Sequence, residues 1–241
     1  TAITGLDLIF VALPSGGAFD PVITASEKSI KVIDLGGDFR LSNSIEYKKY
    51  YKHDHKAEKL LDKSIYGLSE WNEEEISTAD IIANPGCYPT SILLPLIPIL
   101  KNNLIDESFI SIISYSGTTG AGKSNSQNMI FSEINESVRA YKVGEHQHIP
   151  EIKKYLKKFT GLNSSFSFVP HLLPVSRGIY STIQVKTKIG ICENDIIDAY
   201  KSYYNDKPFI RFIENKIPEM KHVLHTNFCD IGFNLSTDRV L

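Results

Sequence analysis

Three short runs, each apolar at almost every position, end abruptly in glycine or proline. LDLIFVAL (6–13) stops at Pro14-Ser15-Gly16-Gly17, KVIDL (31–35) at Gly36-Gly37, and DIIA (80–83) at Asn84-Pro85-Gly86. Runs of this length and character suit strands buried on both faces. Polar or helical stretches separate them, so they read as the strands of a parallel α/β sheet. Ligands of such sheets gather at the carboxyl ends of the strands, where these turns lie.

From about residue 108 the texture changes. FISIISYS, FSFVPHL, GIYSTIQVKT and PFIRFI alternate partially, as strands of a more exposed sheet do. Between the last two, Ile196, Ile197, Tyr200, Tyr203 and Tyr204 share one helical face. A second, α+β domain is expected here. The charged stretch Tyr47 to Lys63 reads as a solvated helix or loop.

With 241 residues, 42% of them apolar, the chain can bury a real core. A net charge of -2 points away from nucleic acid and from an anionic membrane as main partners. No apolar run reaches the roughly 18 residues of a membrane span. Three widely spaced cysteines, Cys87, Cys192 and Cys229, suit reduced thiols in the cytoplasm. The chain has no initiator Met and stops on an apolar run, so material is expected to be missing at both ends.

SGTTGAGKS (116–124) satisfies the P-loop expression from Gly117 to Ser124, behind an apolar run. A P-loop, however, opens the first βα unit and is followed by an aspartate-ended strand for Mg²⁺. Here the loop lies halfway along and KVID precedes it. The match reads as coincidence, and a Gly-rich loop equally suits close approach to a pyrophosphate or a nicotinamide ribose.

In NPGCYPT (84–90), Cys87 follows a strand and a Pro-Gly turn, where a helix would begin. Unpaired amides and the helix dipole there favour a thiolate and can hold an oxyanion on the carbon it attacks. A small buried cysteine at a turn fits the same spacing. Pro89, Pro95 and Pro98 imply a short or kinked helix. GEHQHIPEI (144–152) supplies His146 and His148, with Glu151 on the face of His148 if Pro150 lies in a first helical turn. The pair also suits the surface or a metal, but no CxxC or HExxH accompanies it, so no metal is expected.

These stretches, with DLGGDFRL (34–41), YGLSEW (66–71) and FVPHLLPVSRGIYSTI (168–183), resemble the N-acetyl-gamma-glutamyl-phosphate reductase family, relatives of aspartate-semialdehyde dehydrogenase. The resemblance implies an incomplete Rossmann-type NADP-binding domain over 1–86 and an α+β catalytic and dimerisation domain of the semialdehyde dehydrogenase type over 87–241. It implies NADP(H) as cofactor, an acyl phosphate and phosphate as ligands, a homo-oligomer (dimer or tetramer), and a cytoplasmic enzyme of arginine biosynthesis. Cys87 resembles the nucleophile and His148 the acid/base, with His146 and Glu151 their close supports on the substrate side. Pro14, Ser15 and Gly16 resemble the turn over the nicotinamide, and Gly120, Ala121 and Gly122 a second loop meeting the cofactor. Arg40, Tyr141, His171 and Arg177 are candidates for a substrate carboxylate or phosphate. The family's G-x-x-G-x-x-G loop and closing helix have no counterpart in the sequence. A sister reductase of the carrier-protein route to lysine is the near alternative, and a P-loop NTPase the distant one.

Overall fold

In the computed structural model, residues 3, 5–122, 130–214 and 216–241 are described. The chain divides into two compact units, Thr1–Thr90 and Ser91–Leu241. The first contains β1 (Leu8–Val11), α1 (Phe19–Glu27), β2 (Lys31–Asp34), α2 (Ser44–Tyr51), α3 (Glu58–Leu61), β3 (Ser64–Tyr66), α4 (Ser69–Thr78) and β4 (Ile81–Ala83). Its strands lie in the order β1-β2-β4-β3 with every pairing parallel. Val11 stands opposite Asp34, and Asp34 opposite Ala83, so the turns after β1, β2 and β4 emerge along one edge.

The core of this unit follows from helical spacing. Phe19, Val22 and Ala25 fall on one face of α1 and pack with Val11, Val32 and Ile81. Phe19 is 2% exposed, and its truncation to Ala would cost about 3–5 kcal/mol. Two expectations change here. Among the described residues β1 ends the sheet, and Leu8 and Phe10 are exposed where burial on both faces is expected. The charged stretch after residue 46 is not simply solvated, because it carries buried aromatic anchors. Tyr47 and His55 meet the Phe19 ring edge-on at centroid distances of 6.0 and 4.6 Å. The surrounding lysines and acids hide them from a reading by charge.

α5 (Cys87–Lys101) starts at the end of the first unit and continues in the second, which also holds β5 (Ile110–Ser116), α6 (Phe131–Ile134), β6 (Arg139–Ala140), α7 (His148–Thr160), β7 (Phe166–Leu172), β8 (Ile179–Gln184), α8 (Glu193–Tyr204), β9 (Ile210–Phe212) and β10 (Cys229–Ile231). A mixed sheet runs β6-β7-β5-β8, with β5 parallel to β7 and the outer pairings antiparallel. β5 alternates strictly, burying Ile110, Ile112, Ser114 and Ser116. Its other face, with Ile113 and Tyr115, is half-buried.

The prolines do not shorten α5, which runs for 15 residues. Pro89 sits in the first turn, where no amide is needed. Pro98 has no N–H to give the carbonyl of Leu94, four residues earlier. The Tyr204 hydroxyl donates to that carbonyl instead, at 2.6 Å, and the Tyr200 hydroxyl donates to the carbonyl of Pro95 at 2.9 Å. The buried stripe of α8 therefore both packs and repairs its neighbour.

Candidate functional site

The sequence-predicted residues fall into two sets, one in each unit. In the first unit the turn after β1 exposes Pro14 and Ser15, with Gly16 at φ +86°. Asp38, buried behind it, accepts from the Gly16 amide through both carboxylate oxygens at 2.9 Å and from the Ala18 amide at 3.1 Å. The Tyr47 hydroxyl donates to the same carboxylate at 2.7 Å. α1 has no side-chain cap of its own, so Asp38 supplies one from twenty residues away.

Cys87 is the first residue of α5 and is exposed, which removes the buried-cysteine reading of this turn. Thr90 closes the first turn by donating to the Gly86 carbonyl through its amide and its hydroxyl, both at 3.0 Å. Arg40 is buried rather than displayed. Its Nε donates to the carbonyl of Asn84 at 2.8 Å and its Nη2 to that of Leu35 at 3.0 Å. These two bonds tie the guanidinium to backbone within the fold. Asp34 is fully buried; its Oδ1 accepts from the Gly36 amide at 2.9 Å, and Oδ2 has no hydrogen-bond partner among the described residues. Burial pushes its pKa up to about 6, with Asp38 adding to the rise and the Gly36 amide and Arg40 opposing it. Asp34 and Asp38 went unassigned in the sequence, although both lie in DLGGDFRL; an acidic residue after a Gly-Gly turn was the available signal.

In the second unit α7 begins at His148, with Pro150 in its first turn. His148 and Glu151 are buried and lie three residues apart on one helical face. His146 is 3% exposed, with the rings of Tyr141, His148 and Phe168 at 5.7, 4.8 and 5.5 Å. Its Nδ1 accepts from the His148 amide at 3.1 Å, which fixes the proton of the neutral ring on Nε2. Burial first, and Lys142 second, lower its pKa to about 4. His146 is thus a neutral, helix-capping core residue, whereas His148 opens the helix with Glu151 beside it. His171 pairs with Tyr115 across β5 and β7, their rings 5.1 Å apart, and Arg177 is exposed.

The Gly-rich loop is fastened to the segment that carries Arg177. Gly117, Thr118 and Thr119 donate their amides to the carbonyls of Gly178, Val175 and Ser176 at 2.9–3.1 Å. A Cβ on Gly117 would lie 2.7 Å from the Arg177 amide nitrogen. Gly120 and Gly122 donate within the loop, to Gly117 and Thr119. A P-loop turns these amides toward phosphate, and here they are committed to protein carbonyls. Lys123 and Ser124 lie outside the described residues. Gly120, Ala121 and Gly122 end a short 3₁₀ turn, with Gly122 exposed at φ +72°. That backbone allows close approach of a ligand more than it offers donors.

A nicotinamide dinucleotide fits the first set in its observed form: an exposed, glycine-containing turn at the carboxyl end of a parallel strand. Among the described residues there is no cluster of three or more His, Cys, Asp or Glu able to hold a metal, and no helix long and apolar enough to cross a membrane.

Comparison with known proteins places this arrangement. Residues 1–79 match the family model for the semialdehyde dehydrogenase NAD binding domain, and residues 87–241 that for the semialdehyde dehydrogenase dimerisation domain. Solved structures agree in fold: aspartate semialdehyde dehydrogenase II from Vibrio cholerae has a TM-score of 0.65 at 17% identity, covering 89% of this chain and 64% of that one. The Francisella tularensis aspartate semialdehyde dehydrogenase gives 0.67 at 12% identity, covering 97% and 74%. The class is therefore the semialdehyde dehydrogenases. Two curated N-acetyl-gamma-glutamyl-phosphate reductases, from Pelotomaculum thermopropionicum and Caldicellulosiruptor bescii, are each 46% identical, over 97% and 100% of this chain. The chain spans 67% and 70% of their respective lengths. Within that class, the chain belongs to the N-acetyl-gamma-glutamyl-phosphate reductase family.

Proposed function

We propose that this chain catalyses the NADPH-dependent reduction of N-acetyl-gamma-glutamyl phosphate to N-acetylglutamate 5-semialdehyde and phosphate, a step of arginine biosynthesis. The observation that carries the reading is the exposed Cys87 at the first turn of α5, in a chain whose relatives bear that reductase's name. The Cys87 thiolate attacks the acyl carbon, the bond from that carbon to the phosphate oxygen breaks, and a thioester forms on Sγ. The start of α5, the positive end of the helix dipole, stabilises the oxyanion that develops in the attack. A bound nicotinamide supplies the hydride that takes the thioester to the aldehyde level of oxidation. His148 donates a proton to the resulting alkoxide and takes it back as the carbon–sulfur bond breaks.

Glu151 orients His148, and His146 holds the start of α7 beside it. Pro14, Ser15 and Gly16, with Gly120, Ala121 and Gly122, border the cofactor; Tyr141, His171 and Arg177 border the substrate. Arg suits either its carboxylate or its phosphate through a bidentate fork. The domain division is 1–86 and 87–241, and the enzyme works in the cytoplasm as a homo-oligomer, a dimer or tetramer. Phosphate-dependent reduction of NADP⁺ by N-acetylglutamate semialdehyde tests the reading. Activity is expected in the wild type and absent in Cys87→Ser; turnover that ignores phosphate, or that survives the substitution, would sink it.

A further inference from the structure

We infer that the segment Leu35–Leu41 is a two-armed clasp, in which Asp38 sets the turn at residues 14–18 and Arg40 sets the turn that presents Cys87. The inference rests on the reading of Cys87 as nucleophile and of Pro14–Gly16 as cofactor turn. Both arms leave one short loop at the carboxyl end of β2. Asp38 reaches the Gly16 and Ala18 amides on one side, while Arg40 reaches the Asn84 carbonyl, three residues before Cys87, on the other.

The loop is itself over-determined, as a positioning device must be. The Tyr47 hydroxyl donates to the Asp38 carboxylate, and His55 Nε2 lies 2.8 Å from the Asp38 carbonyl. The Asn84 amide donates to the Asp34 carbonyl at 2.9 Å, so Arg40 fastens the far side of a residue the sheet already holds. Its second bond, to the Leu35 carbonyl, returns to the loop. Gly37 admits the arrangement, since a Cβ there would fall 2.5 Å from the Tyr51 hydroxyl oxygen. Asp38 and Arg40 are positioning residues: neither needs to touch substrate for its loss to be felt at the reacting sulfur or at the cofactor.

The test is the rate of iodoacetamide labelling of Cys87 between pH 6 and 9, read residue by residue with the exposed Cys192 as internal reference, alongside NADPH binding by fluorescence titration. Arg40→Gln removes the guanidinium fork; labelling of Cys87 at neutral pH is expected to slow by about tenfold, its pH profile moving upward, with Cys192 unchanged. Arg40→Lys, which keeps the charge and can replace only part of the fork, should fall between. Asp38→Asn should weaken NADPH binding by about tenfold while leaving Cys87 labelling within about twofold. An Arg40→Gln profile identical to wild type overturns the clasp, as does an Asp38→Asn variant that slows Cys87 as much as Arg40→Gln does. If Arg40→Gln does not fold, Arg40→Lys carries the same comparison. Wild-type Cys87 labelling no faster than Cys192 would instead overturn the nucleophile reading beneath it.

Discussion

The two histidines of HQH have similar neighbours in the sequence and different circumstances in the fold. His146 spends Nδ1 on the His148 amide and is held neutral by burial, so it is a poor proton carrier near pH 7. His148 opens α7 with Glu151 on its face. His148→Asn is therefore expected to slow turnover by about 10²- to 10⁴-fold with little change in KM, as loss of a general catalyst does. His146→Asn should cost less, because the amide oxygen of Asn can still accept from the His148 amide. Glu151→Gln should fall between them, since it orients the ring without moving the proton. Steady-state kinetics of the three variants decide this, and a dead His146→Asn beside a nearly normal His148→Asn would reverse the assignment.

At the scale of elements, two features invite measurement. The amides of Gly117, Thr118, Thr119, Gly120 and Gly122 already donate to protein carbonyls, so no Mg²⁺-ATP binding is expected in the wild type or in Lys123→Ala; saturable binding by calorimetry would contradict this. Tyr204→Phe should lower stability by about 1–3 kcal/mol in denaturant unfolding, because it leaves the buried Leu94 carbonyl beside Pro98 without its hydroxyl donor; an unchanged midpoint would mean that the carbonyl finds another partner. The strands that end in glycine turns, and the opening of a helix at Cys87, were legible because backbone needs and apolar runs leave local marks. The length of α5 was not, since what sustains it is a tyrosine more than a hundred residues away. β3 was also hidden: three residues at a sheet edge are too few to show a period. The residue type of Arg40 suits an anion, whereas the two carbonyls it donates to, 5 and 44 residues distant, leave no trace in local sequence.

Across the whole molecule, acid should act unequally on the two units. In the second, His146 has a pKa of about 4 folded against its ordinary 6.5. The unfolded chain therefore takes up the proton first, and stability present above pH 6.5 is lost as pH falls toward 4, by about 2 kcal/mol at pH 5. In the first unit burial likewise lowers the pKa of His55, which gives the same sign. Asp34 opposes it. Its pKa of about 6 exceeds the ordinary 3.8, so the folded state takes up the proton first and gains roughly 1 kcal/mol between pH 7 and 5. The first unit is thus partly compensated; in the second, burial raises the pKa of the Tyr200 hydroxyl, which stays protonated across this range and offsets nothing. Hydrogen exchange converted to opening free energies at pH 7 and pH 5 reads the units separately. Amides of the second, such as Ile112 and Leu156, should lose more protection than Val32 and Ile81 of the first. His146→Asn should abolish most of that loss, while Asp34→Asn should make the first unit acid-sensitive as well. Equal losses in both units, or a loss in the second that survives His146→Asn, would show that these two buried groups do not govern the response.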